Sequence, residues 1–406
     1  MAEARKKAGG AEAPQCLIEF LARGGDLEKH RAEWAELAGN AVEPNPFYEP
    51  FALLPALRWL DADQDVRVLL IWAKIGGERR LAGLLPLTRA PLTPWLPLQA
   101  WTPWQHKYCF LASPLIHGEY AELVSKALLD WLGANGGISV LACVGGGAFE
   151  QALNREASAL DLGLAEAERR YRALFQAGES AETYLVRSVS GRHRKGYRRL
   201  ERHLATHGKL DYRAATDDQA LDTWVEDFLR LEAAGWKGRV GTAFADSAAE
   251  RAYFRELVQG AHASGRAMAL GLYLNGKPVA LKVNFLCVEG AFSFKICYDE
   301  AYARYSPGVL LELENIREMH RLGVVWMDSC ADEDHPMIDR LWPERREIRT
   351  LFVGRKWAGI GSPAILMAAL RRWKRAASKR LRRTSKSPAR ASLSGVHQAE
   401  PGRASC

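Results

Sequence analysis

The chain of 406 residues is 48% hydrophobic and carries a formal net charge of +8, enough apolar material for two ordinary cores rather than one. Its seven cysteines (Cys16, Cys109, Cys143, Cys287, Cys297, Cys330 and Cys406) are scattered, odd in number and lack a C-x-x-C pair, which argues against a disulfide framework or a zinc site and for a reducing cytoplasm. No apolar h-region follows the charged, alanine-rich Met1 to Pro14, and every longer apolar run falls short of about 18 residues or is broken by proline, so neither a secretory signal nor a spanning helix is expected.

Residues 1–15 read as disordered, and a first domain is expected over 16–180. Period-two runs at Val66 to Ala73 and Arg80 to Thr88, joined at Gly76-Gly77, predict a hairpin, and His106 to Leu111 predicts a third strand. Ser113-Pro114-Leu115-Ile116 leads to a helix from Tyr120 to Leu132, a buried strand from Ile138 to Val144, a helix starting near Phe149 and a strand near Ala167 to Leu174. The order then recurs. Arg266 to Leu274 and Lys277 to Leu286 flank an Asn275-Gly276 turn, Ala291 to Tyr298 forms the third strand, and Ser306-Pro307-Gly308 opens a helix to Leu322. Val324 to Asp328 and Glu347 to Val353 complete the second set, with a short helical piece between them.

This repetition predicts an ancient duplication: an α/β (α+β) chain with tandem domains at 16–180 and 181–354, each a mixed, mostly antiparallel sheet flanked by helices. Between the copies, 182–264 reads as a helical insertion, with helices over Glu182 to His207, Asp218 to Ala234 and Ser247 to Ser264 and a short strand at Lys209 to Arg213.

The positive charge belongs to the tail, where thirteen Lys and Arg from Arg355 onward face one Glu. Within 355–383, Pro363 to Arg383 reads as one helix. Ile365, Leu366, Ala369, Leu370, Trp373, Ala376, Ala377 and Leu381 share a face, ringed by Arg371, Arg372, Lys374, Arg375, Lys379 and Arg380. Two readings stand: an in-plane contact with anionic lipid on the inner membrane face, or packing on the chain's own domain. Residues 384–406, rich in Ser, Pro, Arg and Gly, read as disordered.

Four segments carry chemistry. A tight Ser306-Pro307-Gly308 turn at the positive end of a helix dipole suits a phosphate or pyrophosphate, against the plainer reading of proline at a first helical position. Glu232-Ala233-Ala234-Gly235-Trp236-Lys237-Gly238-Arg239 places an aromatic and a cation between glycines, either a substrate wall or a helix C-cap. In Asp328 to His335 the spacing matches neither a calcium loop nor a zinc hydrolase, so no metal is expected, and Asp328 at a strand end reads as a proton acceptor or an orienting carboxylate. The run Arg187, Arg192, His193, Arg194, Lys195, Arg198, Arg199, Arg202 and His203 has no accompanying RNA-binding motif and reads first as a solvated face, so nucleic acid is not the expected partner. No G-x-S-x-G elbow, P-loop or post-strand G-x-G-x-x-G is present, and Gly145-Gly146-Gly147 reads as a strand-to-helix turn.

Glu232 to Lys237, the hairpin Leu272 to Ala280, Tyr298-Asp299-Glu300-Ala301-Tyr302 and Ser306-Pro307-Gly308, taken in order over Ser188 to Phe352, resemble the acetyltransferase domain of the CelD-like (cellulose-biosynthesis-associated) branch of the GNAT superfamily. The first copy is then a degenerate GNAT-like domain, an arrangement similar to the FemABX aminoacyltransferases.

The resemblance implies transfer from acyl-CoA (acetyl-CoA) to an amine or hydroxyl of a polar acceptor in envelope or polysaccharide metabolism, with the thioester between the fourth and fifth strands. It implies Ser306, Pro307 and Gly308 at the pyrophosphate, Lys295, Arg304 and Tyr305 beside it, and Tyr298 or Tyr305 as proton donor. Asp328 or Glu232 becomes the base, and Trp236 and Lys237 line the acceptor site. The pattern departs from the superfamily's usual loop, since Arg304-Tyr305-Ser306-Pro307-Gly308 has one glycine, and the first copy has Leu115 in its place. FemABX-like transfer from aminoacyl-tRNA and a non-catalytic scaffold are the alternatives.

Overall fold

A computed structural model of the chain describes residues 15–22, 24–60, 65–93, 96–135, 137–178, 180–356 and 364–372. Of the disorder expected at 1–15 and 384–406, residues 1–14 and 384–406 lie outside the described residues, as does the helical reading of 373–383, whereas Gln15 begins a strand.

The first half runs β1 (Gln15–Ala22), α1 (Arg31–Gly39), α2 (Pro50–Trp59), β2 (Arg67–Ile75), β3 (Glu78–Thr93), β4 (Leu96–Pro103), β5 (Leu115–Ile116), α3 (Ala121–Asn135), β6 (Ile138–Gly145), α4 (Ala148–Ala159) and β7 (Leu162–Gln176). The insertion holds α5 (Ala181–Ser188), α6 (Gly191–Ala205), β8 (Leu210–Ala214), α7 (Asp218–Ala234), α8 (Trp236–Arg239) and α9 (Ala248–Ala263). The second half continues with β9 (Ala267–Leu274), β10 (Lys277–Leu286), β11 (Gly290–Tyr298), α10 (Pro307–Arg321), β12 (Trp326–Asp328) and β13 (Glu344–Arg355).

Turn chemistry places the hairpins where expected. Gly76 and Gly77 take φ of 58° and 90° between β2 and β3, and Asn275 and Gly276 take 52° and 78° between β9 and β10, the left-handed pair that a two-residue loop needs. Side-chain caps set the helix starts: Asp217 accepts from the Ala220 amide before α7, and Ser247 from Glu250 before α9. The single helix expected over Glu182 to His207 is two. Ser190 restarts the chain as an N-cap, accepting from the His193 amide, so α5 and α6 meet at a corner. The expected strand at His106 to Leu111 is irregular; the strand pairing β3 is β4, eight residues long and further upstream.

The two copies do not keep separate sheets. The first sheet has the order β1-β2-β3-β4, with β5 also on β3, whereas β6 and β7 join the second-half strands in an eight-stranded sheet ordered β6-β13-β7-β12-β11-β10-β9-β8. β13 thus inserts between two first-half strands, antiparallel to both, and β7 passes on to pair antiparallel with β12. The parallel of Ser113-Pro114 with Ser306-Pro307 also ends early: Ser113 Oγ accepts from the Gly145 amide, and the chain enters β5 before any helix.

One apolar core follows from this exchange. It runs from the first sheet through α7 and α9 to one face of the eight-stranded sheet, with Phe47 5.8 Å from Phe292 across the halves. A second core lies on the opposite face, under α10, α5 and α6. The six described cysteines are free thiols.

Candidate functional site

β11 is held on its two edges by different means. It pairs antiparallel with β10 along its length but parallel with β12 over only Gly290↔Trp326, Ala291↔Met327 and Phe292↔Asp328. β12 ends there, while β11 runs on to Tyr298, so the two strands part and one backbone edge of β11 loses its strand partner. At the same level Val283 opposes Lys295 and Asn284 opposes Ser293, which leaves Phe294 unmatched as a β-bulge. A bulge turns the strand and re-aims its side chains. Here it lies on the β10 side of β11, just beyond the level at which the pairing with β12 ends.

The two faces at the split differ. Toward α10, Lys282 forms a buried ion pair with Glu312 (3.0 Å) and donates to Ser293 Oγ, and Asn284, Asn315 and Glu312 are linked at 2.8 Å each. Toward α7 and α9, the Lys295 ammonium stands 5.0–5.9 Å from the rings of Tyr108, Phe110, Phe244 and Phe294. Among the described residues it has no carboxylate partner. Burial first, and then the neighbouring Lys237 charge, lower its pKa to about 7. Lys295 therefore lies across the sheet from the Ser306 turn, not beside it as the resemblance implied.

At the start of α10, Ser306 adopts a left-handed conformation (φ 53°) and its carbonyl accepts from the Val309 and Leu310 amides. Pro307 has no N–H, so Gly308 supplies the one amide there without a partner among the described residues. A Cβ on Gly308 would meet Tyr298, Ile296 and Met337 at 3.6–3.9 Å, ordinary contact distances. Arg304 lies over the Tyr305 ring, and Tyr305 Oη is 2.6 Å from His207 Nε2. The helix terminus thus offers one amide, Gly308 N–H, and the positive end of its dipole to an anion.

Four expected residues meet at one groove. Glu232, Trp236, Lys237 and Tyr298, with Glu300, line a space of about 40 Å³ between the end of α7, α8 and β11. That volume takes a water or two, and Trp236 at its rim is 45% exposed. Glu232 is buried, accepting from Lys237 Nζ (2.6 Å) and the Phe244 amide (2.9 Å), and Glu300 pins α8 through the Trp236 amide and Arg239.

Asp328 is fully buried at the fork of the split. Its Oδ2 faces Arg346 (3.1 Å) and Arg172 (3.5 Å), and its Oδ1 accepts from the Cys330 amide (2.8 Å). Both oxygens are occupied, the arrangement of an orienting carboxylate. Arg346 also reaches Glu43 and sits 5.3 Å from the Phe292 and Trp326 rings. Tyr108, Phe110, Arg172 and Arg346 escaped sequence reasoning because the strand exchange, not spacing, brings them here. The aromatic pair around Cys109 was the only local hint.

Glu333 accepts from the Tyr171 amide and His335 Nδ1 from Ile338, and among the described residues no group of three His, Cys, Asp or Glu could hold a metal ion. Arg187 pairs with Glu344, whereas Arg192, Lys195, Arg198, Arg199 and Arg202 are exposed on α6 with no carboxylate partner among the described residues. No described helix is long and apolar enough to cross a membrane.

Residues 191–335 match the family model described as an acetyltransferase (GNAT) domain, a stretch that contains the bulge, the split and α10. No curated protein matches the chain. The chain's fold is similar to that of FemX (TM-score 0.52, 11% identity, covering 80% of this chain and 96% of that one). It is similar also to a conserved protein of unknown function from Bacteroides thetaiotaomicron (0.51, 12%, 81% and 97%). A third likeness is to the C-terminal domain of a protein assigned as a lysylphosphatidylglycerol synthetase from Agrobacterium fabrum (0.51, 13%, 86% and 96%).

Proposed function

We propose that this chain is an acyltransferase that moves an acyl group from acyl-CoA to an amine or hydroxyl of a polar acceptor, in the manner of the CelD-like branch and in cell-envelope or polysaccharide metabolism at the cytoplasmic side. The observation that carries this reading is the parting of β11 from β12 beyond Phe292 and Asp328, beside the Phe294 bulge and within the segment matched to a GNAT domain. Bound acyl-CoA supplies an activated thioester.

The chain's own groups do the rest. The freed edge of β11 offers a fixed N–H donor to the carbonyl oxygen as it gains charge, worth about 3 kcal/mol in a dry cleft. Gly308 N–H and Arg304 hold the diphosphate end, with Ser306, Pro307 and Tyr305 shaping the turn. Trp236 and Lys237 border the acceptor, Glu232 keeps Lys237 in place, and Tyr298 stands between groove and turn to donate a proton. Lys295 replaces Asp328 and Glu232 as the base: with a pKa of about 7 it is half neutral near neutrality and accepts a proton from the attacking group. Asp328 orients the fork.

A second reading is aminoacyl transfer from aminoacyl-tRNA. It draws support from the unpaired cations of α6, which packs against the Glu300–Tyr305 turn, and from the single free amide at α10. Calorimetric titration of the whole protein with acetyl-CoA, and with charged tRNA at low and high salt, separates the two. Saturable heat with acetyl-CoA, and labelled acetyl passing to an amine acceptor, is the expected result. Silence toward acetyl-CoA with tRNA binding that weakens steeply with salt overturns it in favour of the second reading. Silence toward both leaves a scaffold.

A further inference from the structure

The terminal helix, residues 364–372, presents two apolar faces, and the chain's own core uses only one. Ala364, Met367 and Ala368 are buried against Val140, Leu92 and Phe352. Arg371 lies over the Phe352 ring, and Arg372 donates to the Glu166 carbonyl on β7. The packing face is therefore set by two alanines, Met367 and two arginine stems. Ile365, Leu366 and Leu370 point the other way, 48%, 61% and 37% exposed. This uncovered side is the apolar stripe that the helical period picks out from Pro363 onward, which continues in sequence through Ala369 and Trp373.

We infer that Ile365, Leu366 and Leu370 form a docking face for an anionic lipid surface. Charge complementarity selects this occupant. Directly after the described helix, Lys374, Arg375, Lys379, Arg380, Arg382 and Arg383 follow with no acidic residue among 373–383. Arg371 and Arg372 are committed to the domain, and the six cations that follow in sequence give this end of the chain the charge that suits lipid phosphates, while the leucines and isoleucine enter the acyl boundary. Packing through the opposite face anchors the helix to β13 and β6, which fixes the whole protein against the bilayer plane. The inference is independent of the acyl-transfer reading.

The test is co-sedimentation of the full chain with vesicles of phosphatidylcholine alone and of an equal mixture of phosphatidylcholine and phosphatidylglycerol. Binding is expected on the anionic vesicles only, weakening as salt rises. Leu366→Asp, at a solvent-facing site, keeps the thermal midpoint and lowers partitioning by about tenfold or more. Changing Lys374, Arg375, Lys379 and Arg380 together to Gln removes the preference for phosphatidylglycerol. Equal sedimentation on both vesicle types, an unaffected Leu366→Asp variant, or a dimer in solution that Leu366→Asp dissociates would each overturn the proposal.

Discussion

Arg346 on β13 stands 3.1 Å from Asp328 on β12, although these strands are not neighbours: β7 lies between them in the sheet. The guanidinium crosses over β7, where Arg172 meets the same carboxylate, and it goes on to Glu43 in the first half. One buried cluster thus ties the fork of the split to both copies of the repeat.

Asp328→Asn is expected to act on stability before chemistry. It leaves two buried guanidiniums facing a neutral amide, and breaking a buried pair costs about 3–5 kcal/mol. Urea denaturation checks this: an unchanged midpoint, with turnover lost, would return Asp328 to the role of base.

Lys282 and Glu312 form an ion pair only 1% and 0% exposed. Lys282→Met alone strands a carboxylate and costs about 3–5 kcal/mol, whereas Lys282→Met with Glu312→Leu recovers part of the loss, because no charge is then buried although Asn315 and Ser293 each lose a partner. Thermal unfolding of the single and double variants measures the coupling.

Lys295 predicts a pH dependence. Its folded pKa of about 7 lies below the unfolded value of 10.5, so the unfolded chain binds the extra proton between the two. Stability associated with this group is fully present above 10.5, is lost as pH falls toward 7, and is flat below. Lys295→Met is therefore expected to be more stable than the parent at pH 7, with the advantage shrinking as pH approaches 10. The same variant loses the acid limb of the pH–rate profile for acyl transfer. A constant stability difference across this window would count against a depressed pKa.

Gly238 in α8 is required for lack of space rather than for a special φ. A Cβ there would fall 1.9 Å from the Ala233 carbonyl oxygen, a backbone atom that cannot yield without opening the α7–α8 corner. Gly238→Ala is expected to cost about 1–3 kcal/mol and to displace Trp236 and Lys237 from the groove. Trp fluorescence and an increased KM for the acceptor register the shift.

Elements governed by near neighbours could be read from the residues alone. The hairpin at Asn275-Gly276, the Asp217-capped helix α7 and the alternation through β9, β10 and β11 depend on backbone preferences and local periodicity, which act within a few positions. The α/β class followed from their order, whereas the GNAT likeness and the choice of Glu232, Trp236, Lys237 and Tyr298 came from the resemblance; α8 and the end of β11 bring those four to one small space. Folding in three dimensions decided what no spacing encodes. Period-two alternation says that a strand has two faces but not which strand lies beside it, so β13 between β6 and β7 was invisible, and with it the arginines over Asp328. The same limit hid the aromatic box around Lys295. A lysine in a strand titrates normally or near neutrality according to how much water and counter-charge surround it, and that depends on Tyr108 and Phe244, which are brought in from far along the chain.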